Sequence, residues 1–469
     1  MSETAQPVVR KERPPGDAPQ VPVAIVGAGA CGLTAALMLA DRGIESAVLE
    51  RDATPSGSTA LSSGFIPAAG TRVQKAHGVD DSPAQFARDI QAKAHGTAAP
   101  RLVTAYAQAI GPAIDALEAR HGLQFELLEG FLYPGHSALR MHAVPERTGA
   151  ALMSRLQRAA DAAGIAVITQ ALVRELWVGE NGSAAGLGYR RPDGRIERLR
   201  CDAVLLACNG FGGNGELVRE LLPEMAEAQF AGHVGNDGSA IAWGRALDAR
   251  LADLGGYQGH GSWAVPQGVL VSWALMMEGA IQVNSEGRRF HDETQGYSEA
   301  AVKVLAQPGG IAWDIFDDAL LAFAQQFPDF REAQAAGAVR SAAEVDALAA
   351  LVGCDAGTLR ATLGSVREGA VSPEGRHFKR ALAPPYHAVK VTGALFHTQG
   401  GLDIDAQCRV LRQDATPWAN LLAAGGAARG VSGNAVWGYL SGNGLLSAVA
   451  GGAIAAQSIA QLLAKKEAA

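Results

Sequence analysis

The sequence has few cysteines and none of the cysteine spacings that build a metal site. Its 469 residues include five, at positions 31, 201, 208, 354 and 408, and no two stand in a CxxC pattern. Their odd number and wide scatter predict neither a disulfide framework nor a zinc site. Haem-type CxxCH motifs and iron–sulfur cysteine clusters are absent as well. We therefore expect a chain that works in a reducing compartment.

The chain also lacks an excess of positive charge. Lysine and arginine number 40 against 47 aspartate and glutamate residues, which gives a formal net charge of -7 at pH 7. Without a basic face or a block of like charges, nucleic acid and other polyanions are not expected as partners. Residues 1–20 are polar, lack the apolar core of a signal peptide and are predicted to be disordered. These absences together predict a cytoplasmic protein.

The last apolar stretch, residues 444–463, is long enough to raise the question of a membrane span. It contains the polar residues Ser447, Gln457, Ser458 and Gln461 as well as many small ones. Such a composition favours tight packing inside a protein. We therefore predict no transmembrane segment.

What the sequence does contain is a strand, a glycine-rich turn and a helix in immediate succession. The apolar run 23–26 is followed by Gly27, Gly29 and Gly32. In such a turn the first glycine permits the bend, the second lets the backbone approach a pyrophosphate, and the third lets the helix pack on the strand. Glu50 ends the next predicted strand, where a carboxylate binds the unphosphorylated ribose of FAD or NAD. The pattern predicts a dinucleotide site, and the alternative is a glycine turn in an ordinary βαβ unit.

The length of the chain predicts at least two domains. Alternating strands and helices occupy residues 21–254, are lost between 255 and 385, and return over 386–469. We therefore predict an α/β fold, α+β overall, in which a discontinuous Rossmann-like nucleotide-binding domain carries a separate inserted domain at 255–385. The loop 56–64 is rich in hydroxyls and glycine and is predicted to line the ligand, the alternative being a disordered linker.

Five stretches, in the same order along nearly the whole chain, resemble the flavoprotein family of fumarate reductase and 3-ketosteroid Δ1-dehydrogenase. They are residues 27–32 with Glu50, 58–64, 206–212, 281–293, and 400–402 continued by 442–444. The resemblance implies FAD, an inserted capping and catalytic domain over the isoalloxazine ring, and chemistry on a carbon–carbon bond beside a carbonyl or carboxylate. Members that bind flavin covalently have a histidine near position 58. Residues 56–64 contain none, so we expect non-covalent FAD.

The positions that match the family's FAD contacts lie in the turn, the 58–64 loop, the second buried strand and the start of the last helix. The resemblance assigns cofactor binding to Gly27, Gly29, Ala30, Cys31, Gly32, Glu50, Arg51, Ser58, Thr59, Ser62, Ser63, Gly64, Val173, Ala207, Cys208, Asn209, Gly210, Asn214, Asp237, Gly425, Gly426, Asn443, Leu445 and Leu446. For Asp237 the local sequence also predicts a simpler role as a helix N-cap.

Departures from the family pattern indicate which of the substrates used by family members suits this chain. Fumarate reductases clamp a dicarboxylate with arginines, and this chain has no arginine at 434–439 or soon after Glu293. Tyr297, four residues after Glu293, matches the catalytic tyrosine of the ketosteroid dehydrogenases. Tyr439, before the glycines at 442 and 444, resembles their ketone-binding tyrosine. His397 instead resembles the reductases, whose histidine at that place holds a carboxylate.

These residues predict desaturation of a ketone, in which a base removes the proton beside the carbonyl while hydride leaves the next carbon for flavin N5. Tyr297 is the predicted base and Tyr133 the neighbour that supports it. Tyr439 and an N–H of Gly442 or Gly444 are predicted to hold the carbonyl oxygen. The alternative for both Tyr133 and Tyr297 is a core tyrosine with a satisfied hydroxyl.

The predicted function is FAD-dependent α,β-dehydrogenation of a small-molecule ketone, a cyclic one such as cyclohexanone or a 3-ketosteroid. Its other partner is an unidentified electron acceptor. Two alternatives stay open: a fumarate-reductase-like or tricarballylate-type oxidoreductase that uses His397 on a carboxylate, and a flavoprotein that serves as an electron-transfer subunit. Because the chain has no haem or iron–sulfur motif, its redox partner would be a separate chain.

Overall fold

The computed structural model describes residues 6–180 and 182–468. The chain falls into two compact units. The first comprises the residues up to Leu221, then Gly232–Tyr257, and the residues from His397 onward, and the second comprises Leu222–Ala231 and Gln258–Phe396. Each unit buries its own cluster of apolar side chains.

The first unit is built on a nine-stranded mixed sheet. Along one path the strand order is Val8–Arg10, Leu172–Val178, Ala184–Arg190, Ile196–Leu206, Gln20–Val26, Ser46–Leu49 and Ala166–Ile168. Off this path, Ile196–Leu206 also pairs with Pro417–Ala423, which pairs with Arg409–Leu411.

The centre of this sheet is parallel, and its strands are apolar on both faces. Gln20–Val26 pairs in parallel with Ser46–Leu49 on one side and with Ile196–Leu206 on the other. Strands buried on both faces need helices to cover them, and Ala30–Ala40 packs closely with Asn443–Glu467 in this unit. The register places the carboxyl ends of the three strands at one edge, consistent with the expected Rossmann-like domain.

Helices and two small sheets complete the first unit. Its α-helices are Ala30–Ala40, Gly57–Ala60, Arg72–Ala76, Pro83–Lys93, Pro100–His121, Gly149–Ala162, Gly215–Leu221, Ser239–Ala246 and Asn443–Glu467, with 3₁₀ turns at Gly425–Ala427 and Val436–Gly438. The small sheets join Ile66–Pro67, Met141–Ala143 and Glu126–Leu127, and Leu251–Ala252 with Gly401–Leu402.

The N-terminal segment corrects one prediction. Residues 1–20 were expected to be disordered, yet Val8–Arg10 forms an edge strand in parallel register with Leu172–Val178. The Arg10 guanidinium donates to the carboxylate of Glu175 at 2.9 Å. A polar segment can be ordered in this way because an exposed sheet edge supplies backbone partners that local composition does not reveal. Residues 1–5 lie outside the described residues.

The last helix, Asn443–Glu467, is the one helix among residues 6–180 and 182–468 that is long and apolar enough to cross a membrane. Half of its most apolar window is buried inside the protein. It packs on Ala30–Ala40 and Pro100–His121. Core helices pass the same length and composition test, so this feature is weak evidence for a membrane span.

The second unit is built on a seven-stranded sheet. Its main path runs Val269–Leu270, Tyr257–Ala264, Tyr386–Thr398, Ile311–Asp317 and Ile281–Asn284, and Tyr386–Thr398 also pairs with Gln229–Phe230 and Val339–Ala342. Its α-helices are Ala274–Glu278, Tyr297–Leu305, Asp318–Ala324, Pro328–Ala335, Val345–Val352 and Ala356–Ser365, with 3₁₀ turns at Pro223–Met225 and Pro308–Gly310.

The bounds of the second unit differ from the predicted inserted domain at 255–385. The unit includes residues 222–231 and extends to Phe396. The strand Tyr386–Thr398 explains both differences, because it pairs with Ile311–Asp317 along seven residues and with Gln229–Phe230 near its end. The sequence pattern alone assigns that strand to the second part of the first domain, predicted at residues 386–469.

Candidate active site

The glycine turn after the first long strand has the geometry of a phosphate-binding loop. Gly27 has φ +105°, and a Cβ there would lie 2.6 Å from the carbonyl O of Ala207, which directly follows the neighbouring strand. A Cβ at Gly32 would lie 1.9 Å from the O atom of Gly27. At Gly29, in contrast, a Cβ would meet only the Thr59 hydroxyl, at 3.6 Å. The first and third glycines are therefore required by the fold, whereas the backbone at the second faces open space that a ligand can use.

Glu50 supports the turn as well as facing the predicted ribose site. Its Oε2 accepts a hydrogen bond from the N–H of Ala28 at 2.9 Å, and its Oε1 accepts from Asp52 N at 3.0 Å. The residue is buried, so its charge is compensated by these two amides. Each oxygen keeps a second lone pair for a ribose hydroxyl.

The loop 56–64 is ordered against the turn. It contains the short helix Gly57–Ala60, whose Thr59 hydroxyl accepts from Ala30 N at 3.2 Å. Ser58 Oγ accepts from Asn209 Nδ2 at 3.1 Å and from Asn236 Nδ2 at 2.9 Å. These contacts favour the prediction of a ligand-lining segment over that of a disordered linker.

These elements surround an open cleft within the first unit. Nine of the residues assigned to FAD line it: Gly27, Gly29, Glu50, Arg51, Val173, Ala207, Cys208, Asn209 and Asp237. Sequence reasoning missed further lining residues, among them Asp52, His233, Ser239 and Trp243. Trp243 is fully buried, and its Nε1 donor has no acceptor among the described residues.

Asp237 organises the charged end of the cleft. Its carboxylate accepts from Arg174 at 2.9 Å, from the Ser239 hydroxyl at 2.6 Å and from Arg51 at 3.4 Å. Burial would raise the pKa of Asp237, but the hydrogen bonds from Ser239 and the charge of Arg174 hold it below its usual value. The N-cap of the helix Ser239–Ala246 is Gly238 rather than Asp237, whose carboxylate instead accepts from the N–H of Ser239.

Arg174 was not found from the sequence, although a charged residue within the apolar run 172–178 was a signal for it. Its Nη1 binds Asp237, while its Nε has no acceptor in the described part of the chain. A buried guanidinium with a spare donor fits a ligand that carries acceptor atoms.

Other predicted cofactor residues hold the surrounding backbone. Asn209 has φ +64°, and a Cβ on Gly426 would lie 2.1 Å from its Oδ1. Asn214 accepts from Glu216 N and Leu217 N at the start of Gly215–Leu221, so its side chain caps a helix. A Cβ on Gly425 would lie 3.3 Å from Cys31 Cβ. Burial raises the pKa of Cys31 and that of Cys208 to about 12, which keeps both as neutral thiols.

The remaining predicted cofactor residues make local contacts within the first unit. Ser62 Oγ donates to Thr59 O at 2.7 Å and accepts from Gly64 N, while Ser63 is half-buried. A Cβ on Gly210 would lie 2.0 Å from the Thr398 hydroxyl. At the last helix, Leu446 N donates to Gly442 O, and Leu445 is half-buried beside it.

A second group of predicted residues meets at the start of the last helix, also within the first unit. Gly442 is the N-cap with φ +87°, and a Cβ there would lie 2.6 Å from Pro67 Cδ. A Cβ on Gly444 would lie 2.5 Å from Nε2 of His397, so that ring lies against the helix N-terminus. The His397 ring contacts the Tyr439 ring edge to face, with centroids 5.7 Å apart. Burial lowers the pKa of His397 to about 4, so the ring is neutral at pH 7.

The segment that contains Tyr133 contacts the turn before the last helix through His136. Tyr133 lies in an aromatic cluster with Phe131, whose ring centroid is 4.9 Å away. His136, which sequence reasoning missed, places its Nε2 3.0 Å from Ser441 O. Because that carbonyl can only accept, the proton of the ring is on Nε2. His136 therefore holds the backbone turn that follows Tyr439.

Tyr297 belongs to the second unit, where it begins the helix Tyr297–Leu305. Its ring stacks on His260, with centroids 5.0 Å apart and planes 22° apart. His260 was not predicted, and its isolated position between two glycines at 259 and 261 gave no pattern to detect. Burial lowers its pKa to about 3. Ser262 N donates to its Nδ1 at 3.0 Å, so this neutral ring carries its proton on Nε2.

Glu293, four residues before Tyr297, is a structural ion-pair partner. It accepts from Arg289 Nε at 3.0 Å and lies 2.9 Å from Arg376 Nη1. Burial would raise its pKa, but hydrogen bonding by Arg289 and the charge of Arg376 lower it. All three side chains are buried, so the Glu293 carboxylate and the two guanidinium groups compensate one another's charge within the protein.

A buried carboxyl lies nearby in the same unit. Gln282 Nε2 donates to Asp314 Oδ1 at 2.8 Å and lies 3.2 Å from Ser262 Oγ, while its Oε1 lies 2.8 Å from His291 Nε2. Burial raises the pKa of Asp314 to about 7, more than the hydrogen bonds from Gln282 and Ser262 lower it.

The residues present fit a bound dinucleotide. The backbone at Gly29 has room for a phosphate, Glu50 keeps acceptor capacity for a ribose, and Arg174, Trp243 and Asn443 carry buried polar atoms without partners among the described residues. Glycine turn, acid and cleft together define a dinucleotide-binding protein of the Rossmann type.

The sequence profile of the FAD binding domain family matches residues 22–445, so the chain belongs to that family. A probable fumarate reductase of Shewanella frigidimarina is 26% identical, with 97% of this chain and 77% of the relative covered. A 4-oxocyclohex-2-ene-1-carboxylate 5-dehydrogenase of Sinomonas cyclohexanicum is 24% identical, with 95% and 94% covered. The solved open conformation of a flavocytochrome c3 fumarate reductase is similar with a TM-score of 0.82 and 27% identity, over 95% of this chain and 79% of that one.

These relatives confirm the resemblance inferred from the motifs. The chain is an FAD-dependent oxidoreductase. The individual site residues, the cytoplasmic location and the capping role of the second unit stay predictions.

Proposed function

We propose that this oxidoreductase desaturates a ketone at the bond beside its carbonyl, with a cyclic ketone as substrate. The observation that carries the proposal is the stack of Tyr297 on a buried, neutral His260, at the position four residues after Glu293. A phenol beside a neutral ring suits removal of a proton from carbon, whereas a dicarboxylate would need cations.

The arginines near Tyr297 support this choice of substrate. Arg289 is bound by Glu293, Glu374 and the carbonyl of His291, and Arg376 by Glu293 and two backbone carbonyls. Both side chains are buried. An arginine neutralised in this way supplies little attraction for a second carboxylate.

Tyr297 acts as the base in this proposal. A free tyrosine has a pKa near 10, so the phenol needs surroundings that accept its proton or favour phenolate. His260 stacks on the ring and carries its own proton on Nε2, as the Ser262 contact requires. His260 thus packs the phenol in one orientation and excludes water from one of its faces. Tyr133 stays the predicted neighbour that supports Tyr297.

Tyr439 and the start of the last helix hold the substrate oxygen. Tyr439 is buried beside His397, and Gly444 lies against Nε2 of that ring. The first N–H groups of a helix have no intrahelical partner and carry partial positive charge. A phenol, an imidazole and these amides can stabilise negative charge on a carbonyl oxygen as the proton leaves.

FAD held in the cleft lined by Gly29, Glu50 and Asp237 would supply the two-electron acceptor for the hydride that leaves the carbon next to the deprotonated one. The substrate is thereby oxidised to an enone. A separate electron acceptor then restores the oxidised enzyme. We further propose that the FAD is non-covalent, because residues 56–64 contain no histidine.

The relatives divide between this proposal and one rival. The Sinomonas dehydrogenase acts, by its name, on an oxocyclohexene carboxylate, which is a cyclic ketone. The Shewanella relative and the flavocytochrome are named fumarate reductases, and His397 favours them. Reduction of a carboxylate substrate is therefore the second candidate, and an electron-transfer subunit is the third.

Anaerobic stopped-flow mixing distinguishes the three. The FAD-loaded protein is mixed with cyclic ketones, and bleaching of the oxidised flavin is followed. In parallel, the dithionite-reduced protein is mixed with fumarate and related unsaturated acids, and recovery of the colour is followed. Bleaching by a ketone supports the proposal. Reoxidation by an unsaturated acid without ketone bleaching would replace it with the reductase, and no response to either would favour an electron-transfer subunit.

A further inference from the structure

A chain of buried hydrogen bonds runs from the last helix to His397 within the first unit. Asn443 Nδ2 donates to Ser432 Oγ at 2.9 Å, and Ser432 Oγ donates to Gln399 Oε1 at 2.9 Å. Gln399 Nε2 then lies 3.1 Å from His397 Nδ1. Asn443, Ser432 and Gln399 are all buried, so water cannot substitute for these contacts.

The order of donors and acceptors in this hydrogen-bond series determines which ring nitrogen of His397 carries the proton. An amide that accepts at Oε1 from Ser432 presents its donor end to His397, and only an unprotonated Nδ1 can accept that bond. The carbonyl O of Thr398, 3.2 Å from the same nitrogen, would require the opposite tautomer. The Gln399 contact is the shorter of the two and continues an unbroken series of donors and acceptors.

The backbone of Gln399 is fixed on both sides. Its N–H donates to Gly256 O at 2.8 Å, and its carbonyl accepts from Gly430 N at 2.8 Å. The amide therefore reaches His397 from an anchored position. With Nδ1 engaged, the other ring nitrogen, Nε2, is the one that lies against Gly444 at the helix N-terminus.

The surroundings of the ring favour the neutral form. Burial lowers the pKa of His397 to about 4, and the positive end of a helix disfavours the positively charged imidazolium form. A neutral imidazole with its proton on Nε2 is a hydrogen-bond donor without charge. Such a group suits a ketone oxygen better than a carboxylate, which is bound more strongly by a cation.

We propose that Gln399 is a positioning residue: its amide donates to Nδ1 of His397 and holds the imidazole as the tautomer protonated on Nε2, a neutral donor to an oxygen atom of the substrate. The assignment of the substrate atom rests on the proposed function. The tautomer does not, because every contact that sets it lies within this chain.

The tautomer can be read directly by NMR. Long-range ¹H–¹⁵N correlation spectra are recorded on the FAD-loaded protein labelled with ¹⁵N at its 11 histidines. The signal that disappears in His397→Gln belongs to His397. We expect an unprotonated Nδ1 and a protonated Nε2 at pH 7. A proton on Nδ1, or an imidazolium, in the wild-type protein would overturn the proposal.

Two variants test whether Gln399 is the cause. Gln399→Glu replaces the donor with an acceptor, and Gln399→Met keeps the length of the side chain but removes both polar atoms. In each we expect the proton to move to Nδ1, where Thr398 O can accept it. A wild-type tautomer in Gln399→Met would show that Gln399 does not set it, and this result decides the matter even where Gln399→Glu fails to fold.

The matched control is Gln457→Glu, the same substitution at an exposed position of the last helix. It should leave the His397 signal unchanged. Gln399→Glu should bind the best ketone of the stopped-flow panel about tenfold or more weakly than the wild type does. The reason is that Nε2 of His397 would then present a lone pair, in place of an N–H, to the carbonyl oxygen of the ketone. If no ketone binds the wild type while the tautomer is as expected, the proposed function fails and the role of Gln399 stands.

Discussion

Gly29→Ala should separate FAD binding from the stability of the fold. A Cβ at Gly29 meets only the Thr59 hydroxyl at 3.6 Å, an ordinary contact, and the φ of the residue is -75°. At Gly32 the same change would place a Cβ 1.9 Å from the O atom of Gly27. The protein itself therefore does not need a glycine at position 29, and we attribute it to close approach by the pyrophosphate of the cofactor.

The size of each effect follows from the contacts involved. Gly29 is the N-cap of Ala30–Ala40, and alanine at an N-cap costs up to about 1 kcal/mol relative to glycine. A pyrophosphate displaced by the new methyl group loses one or two hydrogen bonds from backbone N–H groups, each worth about 1.5–3 kcal/mol when the acceptor is charged. We therefore expect FAD affinity to fall by about a hundredfold or more, while the apo-protein unfolds at nearly the wild-type urea concentration.

The assay combines urea unfolding of the apo-protein with titration of FAD, followed by quenching of flavin fluorescence. Gly32→Ala is the structural comparison and should fail to fold or lose several kcal/mol through its backbone clash. Gly364→Ala is the matched neutral control, because a Cβ there has nothing within 4 Å and the residue lies inside the helix Ala356–Ser365. It should bind FAD normally and gain up to about 1 kcal/mol. Wild-type FAD affinity in Gly29→Ala, or a loss of apo stability equal to that of Gly32→Ala, would refute the reasoning.

Three further predictions concern the cofactor, the base and a buried acid. Heat or acid denaturation should release intact FAD into the supernatant, and flavin that stays with the precipitate would show a covalent link. Tyr297→Phe should fold and bind FAD but slow bleaching by the best ketone by at least about a hundredfold, and a rate close to the wild type would remove it as the base. Asp314 has its pKa raised to about 7, so folding takes up a proton above the unfolded pKa near 4, and stability should fall with pH between about 4 and 7 by at most about 1.4 kcal/mol per unit. Asp314→Asn should flatten that part of the urea stability profile, and an unchanged slope would show that Asp314 is not responsible.

The sequence by itself determined the nucleotide-binding half of the protein. The order of strand, glycine turn, helix and acid is local, because each glycine of a GxGxxG turn acts within a few residues of its neighbours. In the structure Gly27 and Gly32 lie against backbone atoms that leave no room for a side chain, and Glu50 accepts from the N–H of Ala28 in the same turn. The resemblance to FAD-dependent oxidoreductases followed from motif order and was confirmed.

Tertiary structure alone decided the features that depend on contacts between distant segments. The edge strand Val8–Arg10 pairs with Leu172–Val178, and Tyr386–Thr398 pairs with Ile311–Asp317 and other strands of the second sheet. Arg174, His260 and Gln399 meet Asp237, Tyr297 and Ser432, partners that lie at least 33 residues away along the chain. Local pattern records which residues can form an element, but not which buried polar atoms will meet once the elements pack.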